Sequence, residues 1–234
     1  MLGRLVLKRG SKLEGESPFW ISFSDLMSAL MVLFLVVMAV TLVAVTDSLD
    51  KATKTQIERN NAIKKIMSMI AEDPSSSGVL VDRQNYRIDL GKHVRFESNS
   101  FVISASASQF LRHYVPVLLR AKESEEGKRW MRRVVVEGFT DEDGTYLYNL
   151  RLSLDRSRSV VCSLFAKGAG DDSLTVEQLR QVQELFLVGG YSFNSIQKDK
   201  AASRRVEFKI DFWGVDEDRP ERQDMLLSKE FGQC

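Results

Sequence analysis

The chain has 234 residues, with 33 Lys and Arg against 32 Asp and Glu and a formal net charge of +1. So even a balance exerts no global pull on nucleic acid or an anionic membrane surface, which sets aside functions driven by overall basicity. At 28% charged and 44% hydrophobic the average is that of a soluble protein of one or two domains, but the charge is not spread evenly.

No Lys or Arg lies between Lys12 and Lys51, and no charge of either sign occurs from Leu26 to Thr46. A helix crossing the roughly 30 Å hydrocarbon layer needs about 20 apolar residues, so residues 18–46 are expected to form an uncleaved transmembrane helix. The apolar run is too long for a secretory signal, and no small-x-small cleavage pattern closes it. Cys162 and Cys234 stand too far from the amino end for a lipoprotein anchor. Arg4, Lys8, Arg9 and Lys12 precede the span, whereas Asp47 and Asp50 come first after it. The positive-inside rule then makes residues 1–17 a cytoplasmic tail and places the rest beyond the inner membrane, in the periplasm of a Gram-negative host.

Asp25 needs an explanation. Ser17 can cap the helix and Pro18 suits its first position, with Phe19 and Trp20 as interfacial aromatics. That start sets Asp25 two turns in, about 10 Å along the axis. Ionisable groups at such depth face protein or a wet path and mark ion routes, so Asp25 is the candidate proton carrier. At about 100° per residue its stripe holds Ser22, Ser28, Ala29, Val32, Val36 and Ala39, while Phe23, Met27, Leu30, Met31, Phe34 and Met38 lie opposite. Slim residues permit close helix packing and bulky ones suit lipid. One helix encloses no channel, so partner helices are implied.

Residues 47–78 read as an amphipathic linker, with Ile63, Ile66, Met67 and Ile70 at helical spacing, suited to pairing with a copy of itself or to a solvated spacer. Pro74-Ser75-Ser76-Ser77-Gly78 ends it. Beyond, strand and helix alternate. Strands are expected at Tyr86–Leu90, Val94–Phe96, Arg133–Phe139, Leu185–Gly189 and Val206–Phe212. Helices are expected at Ala105–Ala121, Leu147–Lys167 and Thr175–Glu184. The Leu147, Leu150, Leu154, Val161 and Phe165 face of the second helix is taken as its core side. This order predicts an α+β chain: one amino-terminal transmembrane helix, a linker helix and a βαβαβ sandwich with helices over one sheet. Two distant cysteines fit an oxidising space without describing a disulfide framework, and Cys162 reads as a small buried apolar residue.

Catalysis finds no support. His93 and His113 lack metal-ligand spacing, neither Cys has an evident base, and no phosphate-binding glycine loop is present. A calcium loop counted from Asp141 would need an acid where Leu152 stands. No enzyme activity, metal or other cofactor is expected.

The stretch EGFTDEDGTYLYNLRLSLDRSRSV, followed by ASRRVEF, resembles the OmpA-like peptidoglycan-binding family. Its pattern falls on Gly138, Thr140, Asp141, Gly144, Asn149, Leu152, Ser153, Arg156, Arg204, Arg205, Val206 and Glu207. The resemblance implies an OmpA-like domain over residues 79–213, followed by a tail at 214–234. It also implies that Asp141 and Arg156 bind the diaminopimelate of the peptide stem, with Tyr148, Asn149, Leu152, Arg204 and Arg205 as further peptidoglycan-binding candidates. A zwitterion wants a carboxylate for its ammonium and a guanidinium for its carboxylate. An internal ion pair supporting the loop is the competing use of these charges. One of Arg204 and Arg205 is expected in the site and the other in solvent. Ser203 stands where the family has Asn, and Phe139 where it often has His. The amino half, PFWISFSDLMSALMVLFLVVM, resembles the single helix of MotB-type stator subunits and is closer still to the MotB-like subunits of Zorya anti-phage defence systems. That implies two copies inside a ring of a MotA-like multi-helix partner, with no direct contact to nucleic acid.

Overall fold

The computed structural model describes residues 18–166, 173–218 and 230–234. The basic tail and the Ser17 cap, on which the expected orientation and helix start rest, lie outside the described residues. The chain divides into two units, Met1–Lys54 and Thr55–Cys234. Helix α1 runs over Pro18–Glu72 and is the one helix among the described residues long and apolar enough to cross a membrane, with a window of mean hydropathy 2.8.

In the first unit the hydroxyls of α1 turn back on its own backbone. Ser28 donates to the Ser24 carbonyl at 2.8 Å, Thr41 to Met38 at 2.9 Å and Ser48 to Ala44 at 2.9 Å. Such bonds satisfy polar atoms without water, as a helix in lipid requires. Leu26, Leu30, Phe34 and Met38 are all exposed along this stretch.

The second unit is a two-layer α/β body. Its strands are β1 (Leu80–Asp82), β2 (Arg87–Asp89), β3 (Met131–Gly138), β4 (Phe186–Gly190) and β5 (Val206–Phe212). They form one mixed sheet in the order β1-β2-β5-β3-β4, in which only β3 and β4 run parallel. The parallel pair requires a crossover, supplied by α4 (Tyr146–Phe165) and α5 (Val176–Leu185). Helices α2 (Ala105–Glu123), α3 (Glu125–Trp130) and α6 (Lys200–Ser203) complete the body. The sandwich expected from the sequence is present, with β1, α3 and α6 added. The strand expected at Val94–Phe96 reduces to a single bridge between Arg95 and Arg205.

Alternation along the strands sends Val134, Val136, Phe208 and Ile210 into the core, where they meet Leu111, Tyr114 and Leu118 of α2 and Val160 and Leu164 of α4. Ile63, Ile66, Met67 and Ile70 join the same core, each at most 2% exposed. The apolar stripe assigned to a linker therefore packs inside the body, and pairing with another copy through it is excluded in this arrangement.

Helix α4 corrects a second expectation. Leu147 is 73% exposed and Leu154 41%, whereas Asn149, Ser153, Arg156 and Ser157 are buried. The reason lies beneath the helix, where Gly138 and Gly190 pair in register across β3 and β4. A Cβ at Gly138 would stand 2.0 Å from the Ser153 carbonyl oxygen, and one at Gly190 would stand 2.7 Å from Ser153 Oγ. The helix lies so close that Ser153 and Ser157 fit this seam, with the Leu154 side chain against Gly190 at its edge.

A disulfide joins Cys162 and Cys234, so both cysteines are spent. Neither serves as the small buried thiol expected of Cys162, because the fold brings together residues 72 apart in sequence.

Candidate functional site

The site forms where three segments meet: the end of β3 with the following loop, the first turns of α4, and the chain leading into β5. Gly144, at φ +101°, turns the loop after β3 back towards α4. Asn149 lies below that turn and donates to the Asp143 carbonyl at 2.8 Å and the Thr145 carbonyl at 3.3 Å.

Asp141 is 6% exposed. Its Oδ2 accepts from Arg204 Nη1 at 3.0 Å, while the Asp143 amide donates to its Oδ1 at 3.3 Å. Arg204 is held in turn by the Phe96 carbonyl, to which its Nε donates at 3.0 Å. The internal ion pair weighed from the sequence therefore exists, with Arg204 rather than Arg156 as the partner of Asp141.

Arg156 is fully buried and spends three donors on main-chain carbonyls. Its Nη1 donates to Phe139 at 2.8 Å, Nε to Ser100 at 2.9 Å and Nη2 to Glu97 at 3.1 Å. Asn99 between the last two carbonyls is in the left-handed region, φ +56°, which Asn tolerates better than most residues. Burial pulls the Arg156 guanidinium down to about 10, opposed by the negative charge of Asp141 and assisted by the positive charge of Arg204. Arg156 thus ties the loop at 97–100 to the end of β3, on the inner side of the Asp141–Arg204 pair.

Of the other candidates, Tyr148 is 45% exposed and open to a ligand, while Leu152 and Ser153 lie on the buried face of α4. Arg205 is not solvated. It is 2% exposed, lies 4.2 Å over the Phe139 ring and donates to Glu207 at 2.6 Å. Phe139 is also stacked on Tyr191, and Ser203 Oγ donates to the Asp199 carbonyl while accepting from the Gln197 amide. Both departures from the family pattern are buried and structural. Two polar atoms near the loop stay unpaired in the buried interior, Thr140 Oγ1 and Asn149 Oδ1. No sequence signal pointed to Lys200, which pairs with Asp143 at 2.5 Å and Glu142 at 3.7 Å, raising its own pKa.

Asp25, the candidate of the other unit, lies exposed on α1 with Ser22 and Ser28. The structure thus brings Asp141, Asn149, Arg156 and Arg204 together and leaves Arg205 beneath them.

No family model matches the chain. A Zorya protein ZorB from Escherichia coli O139:H28 is 43% identical over 218 residues, covering 92% of this chain and 88% of that protein. A second Zorya protein ZorB, from E. coli strain Crooks, is 23% identical over 228 residues, covering 89% and 94%. Among solved structures, the peptidoglycan-associated lipoprotein from Burkholderia pseudomallei shares 17% identity over 62% of this chain and 99% of that one, at a TM-score of 0.36. A periplasmic-domain structure of Helicobacter pylori MotB shares 16% over 56% and 78%, at a TM-score of 0.39. The fold described above stands on its own sheet order and register.

Proposed function

The chain belongs to the ZorB family, and from that premise we propose that it is the wall-anchored stator subunit of an ion-driven motor in the inner membrane, serving anti-phage defence. Two copies lie within a ring of a MotA-like partner. Asp25 of each alternates between its neutral and charged forms as protons pass. The change of charge alters which ring contacts are favoured, and ion flow is thereby converted into steps of the ring. The observation that carries this reading is a single acid, Asp25, on an apolar helix whose facing stripe is slim and whose opposite stripe is bulky.

The body holds the two helices against the wall. Its site suits a zwitterionic stem such as diaminopimelate: Asp141 takes the ammonium, Arg204 turns from Asp141 to the ligand carboxylate, and Tyr148 lines the rim. Arg156 and Asn149 hold the loops on either side. The disulfide supports a location in an oxidising compartment, the side on which the positive-inside rule places the body. The domain limits proposed are a tail at 1–17, a span at 18–46 and a wall-binding body reaching 213. No step in this reading requires the chain to act as an enzyme.

The deciding experiment is Asp25→Asn in cells carrying the partner subunit, read by proton conductance and by phage protection. Loss of both with an intact complex is expected. A conducting, protective variant sinks Asp25 as the proton carrier, and a wild-type complex that protects without conducting favours a passive membrane-to-wall tether.

A further inference from the structure

The stripe of α4 that carries Leu147, Leu150, Leu154, Val161 and Phe165 is interrupted by exposed Arg158, and its two halves are treated differently. Leu147 is bare and Leu154 half-covered, its side chain against Gly190. Val161 and Phe165 are partly buried, and the segment 230–234 lies beside them. Phe231 packs on Phe165 with ring centroids 5.1 Å apart, and the Arg180 guanidinium stands over the Phe231 ring, 5.7 Å from its centroid. Cys234 is covalently bound to Cys162 on α4. Between this segment and the helices is a cavity of about 400 Å³, lined by Val161, Phe165, Gln183 and Phe231 among others. Gln183 Oε1 is buried there without a hydrogen-bond partner.

We propose that the Cys162–Cys234 disulfide is a redox-set strap. Oxidised, it holds residues 230–234 across the carboxyl-terminal half of α4 and walls the cavity. Reduced, it releases them, opening the cavity and baring the sides of Val161 and Phe165 that it covers. Two ring contacts hold five residues weakly once the covalent bond is gone, because each ordered residue costs about 1–2 kcal/mol of backbone entropy. The bond forms by thiol–disulfide exchange with a disulfide-bearing oxidant of the compartment. The two cysteine thiols give up two protons and two electrons, and the oxidant's S–S bond becomes two thiols. The strap therefore closes only after the body has left a reducing cytoplasm, irrespective of what the wall-binding site recognises.

The test uses the full chain, purified from membranes in detergent. After denaturation, a maleimide mass tag should add nothing without reductant and two tags with it. Reduction of the folded protein should lower the melting temperature of the body by about 10 °C, given the length of the closed loop. Anilinonaphthalene sulfonate fluorescence should rise as the cavity beside Val161 and Phe165 opens. The Cys162→Ser/Cys234→Ser double variant should match reduced wild type and ignore reductant. Two tags without reductant would overturn the proposal. So would a reduction that leaves both melting and dye binding unchanged, a result readable on wild type even if the double variant fails to fold.

Discussion

Arg204 closes on Asp141 at 3.0 Å, with the arginine side chain 17% and the aspartate side chain 8% exposed. In the binding mode proposed above, each is the other's stand-in for a zwitterionic ligand: the guanidinium occupies the place of an ammonium, and the carboxylate that of a ligand carboxylate. Binding in that mode would exchange one ion pair for two, so the charges would cost little extra desolvation.

Asp141→Ala and Arg204→Ala should each weaken co-sedimentation with purified peptidoglycan by about tenfold or more, the worth of one charge-assisted hydrogen bond. Arg156→Ala should lower both sedimentation and melting temperature, because three carbonyls lose their donor. Equal binding by wild type and the Asp141 variant would remove the site from consideration.

Glu137 and Glu207 stand directly opposite each other in the β3–β5 register, 1% and 7% exposed. Like charges in that position repel. Arg87 bridges them, donating to both, and Tyr191 adds a hydrogen bond to Glu137 at 2.8 Å. Burial costs the Arg87 guanidinium, but Glu207 and Glu137 outweigh it and raise its pKa. Arg87→Ala should destabilise the body by about 3 kcal/mol, measured by urea unfolding. Adding Glu137→Gln should recover part of that loss.

Gly138→Ala should be as severe, about 3 kcal/mol, since the new methyl meets a backbone carbonyl rather than a side chain that can move. Leu147→Gln on the opposite side of α4 should shift stability by less than about 0.5 kcal/mol. Reversal of these two results would mean that α4 is turned the other way.

Acid should weaken the body in a defined window. The Ser75 amide, opposed by burial and joined by the Ser75 side chain and Arg120, holds the Asp73 carboxyl below its usual range. The Asn85 side chain, then the Asn85 and Gln84 amides, do the same for Asp82, and Lys65 does so for Glu126. Carboxyls with depressed folded pKa values contribute stability that is full above the unfolded values, about pH 4, and is lost as pH falls through the folded ones. The urea midpoint should thus hold level from pH 7 to about 5 and then drop. Asp73→Asn should make the drop shallower.

Most of the body was legible because its elements keep their periods. Val134, Val136, Phe208 and Ile210 alternate as buried strands must, and the Ile63–Ile70 spacing marks a buried helical stripe, although not what it packs against. The motif around Asp141 also located the loop and the helix of the site. Hydrophobicity failed on α4, where close approach to Gly138 and Gly190 selects small size over apolarity and draws Ser153 and Ser157 inward. The pairing of Arg204 with Asp141 could not be read, because two adjacent arginines carry the same charge and only the backbone decides which faces the loop. The disulfide was illegible for a related reason, since distance along the chain says nothing about distance across it.

The close seat of α4 on paired glycines has a consequence for anyone altering this molecule. A helix whose greasy side looks outward at its start invites resurfacing there, and Leu147 offers room for a polar replacement that improves handling without touching Asp141, Asn149 or Arg156. The hydroxyls of Ser153 and Ser157 look like ordinary surface chemistry in a line of sequence, but they are the tolerance to which the helix is fitted. Enlarging either one by a few carbons would lift α4 off the sheet and carry Asn149 and Arg156 away from the loops they hold.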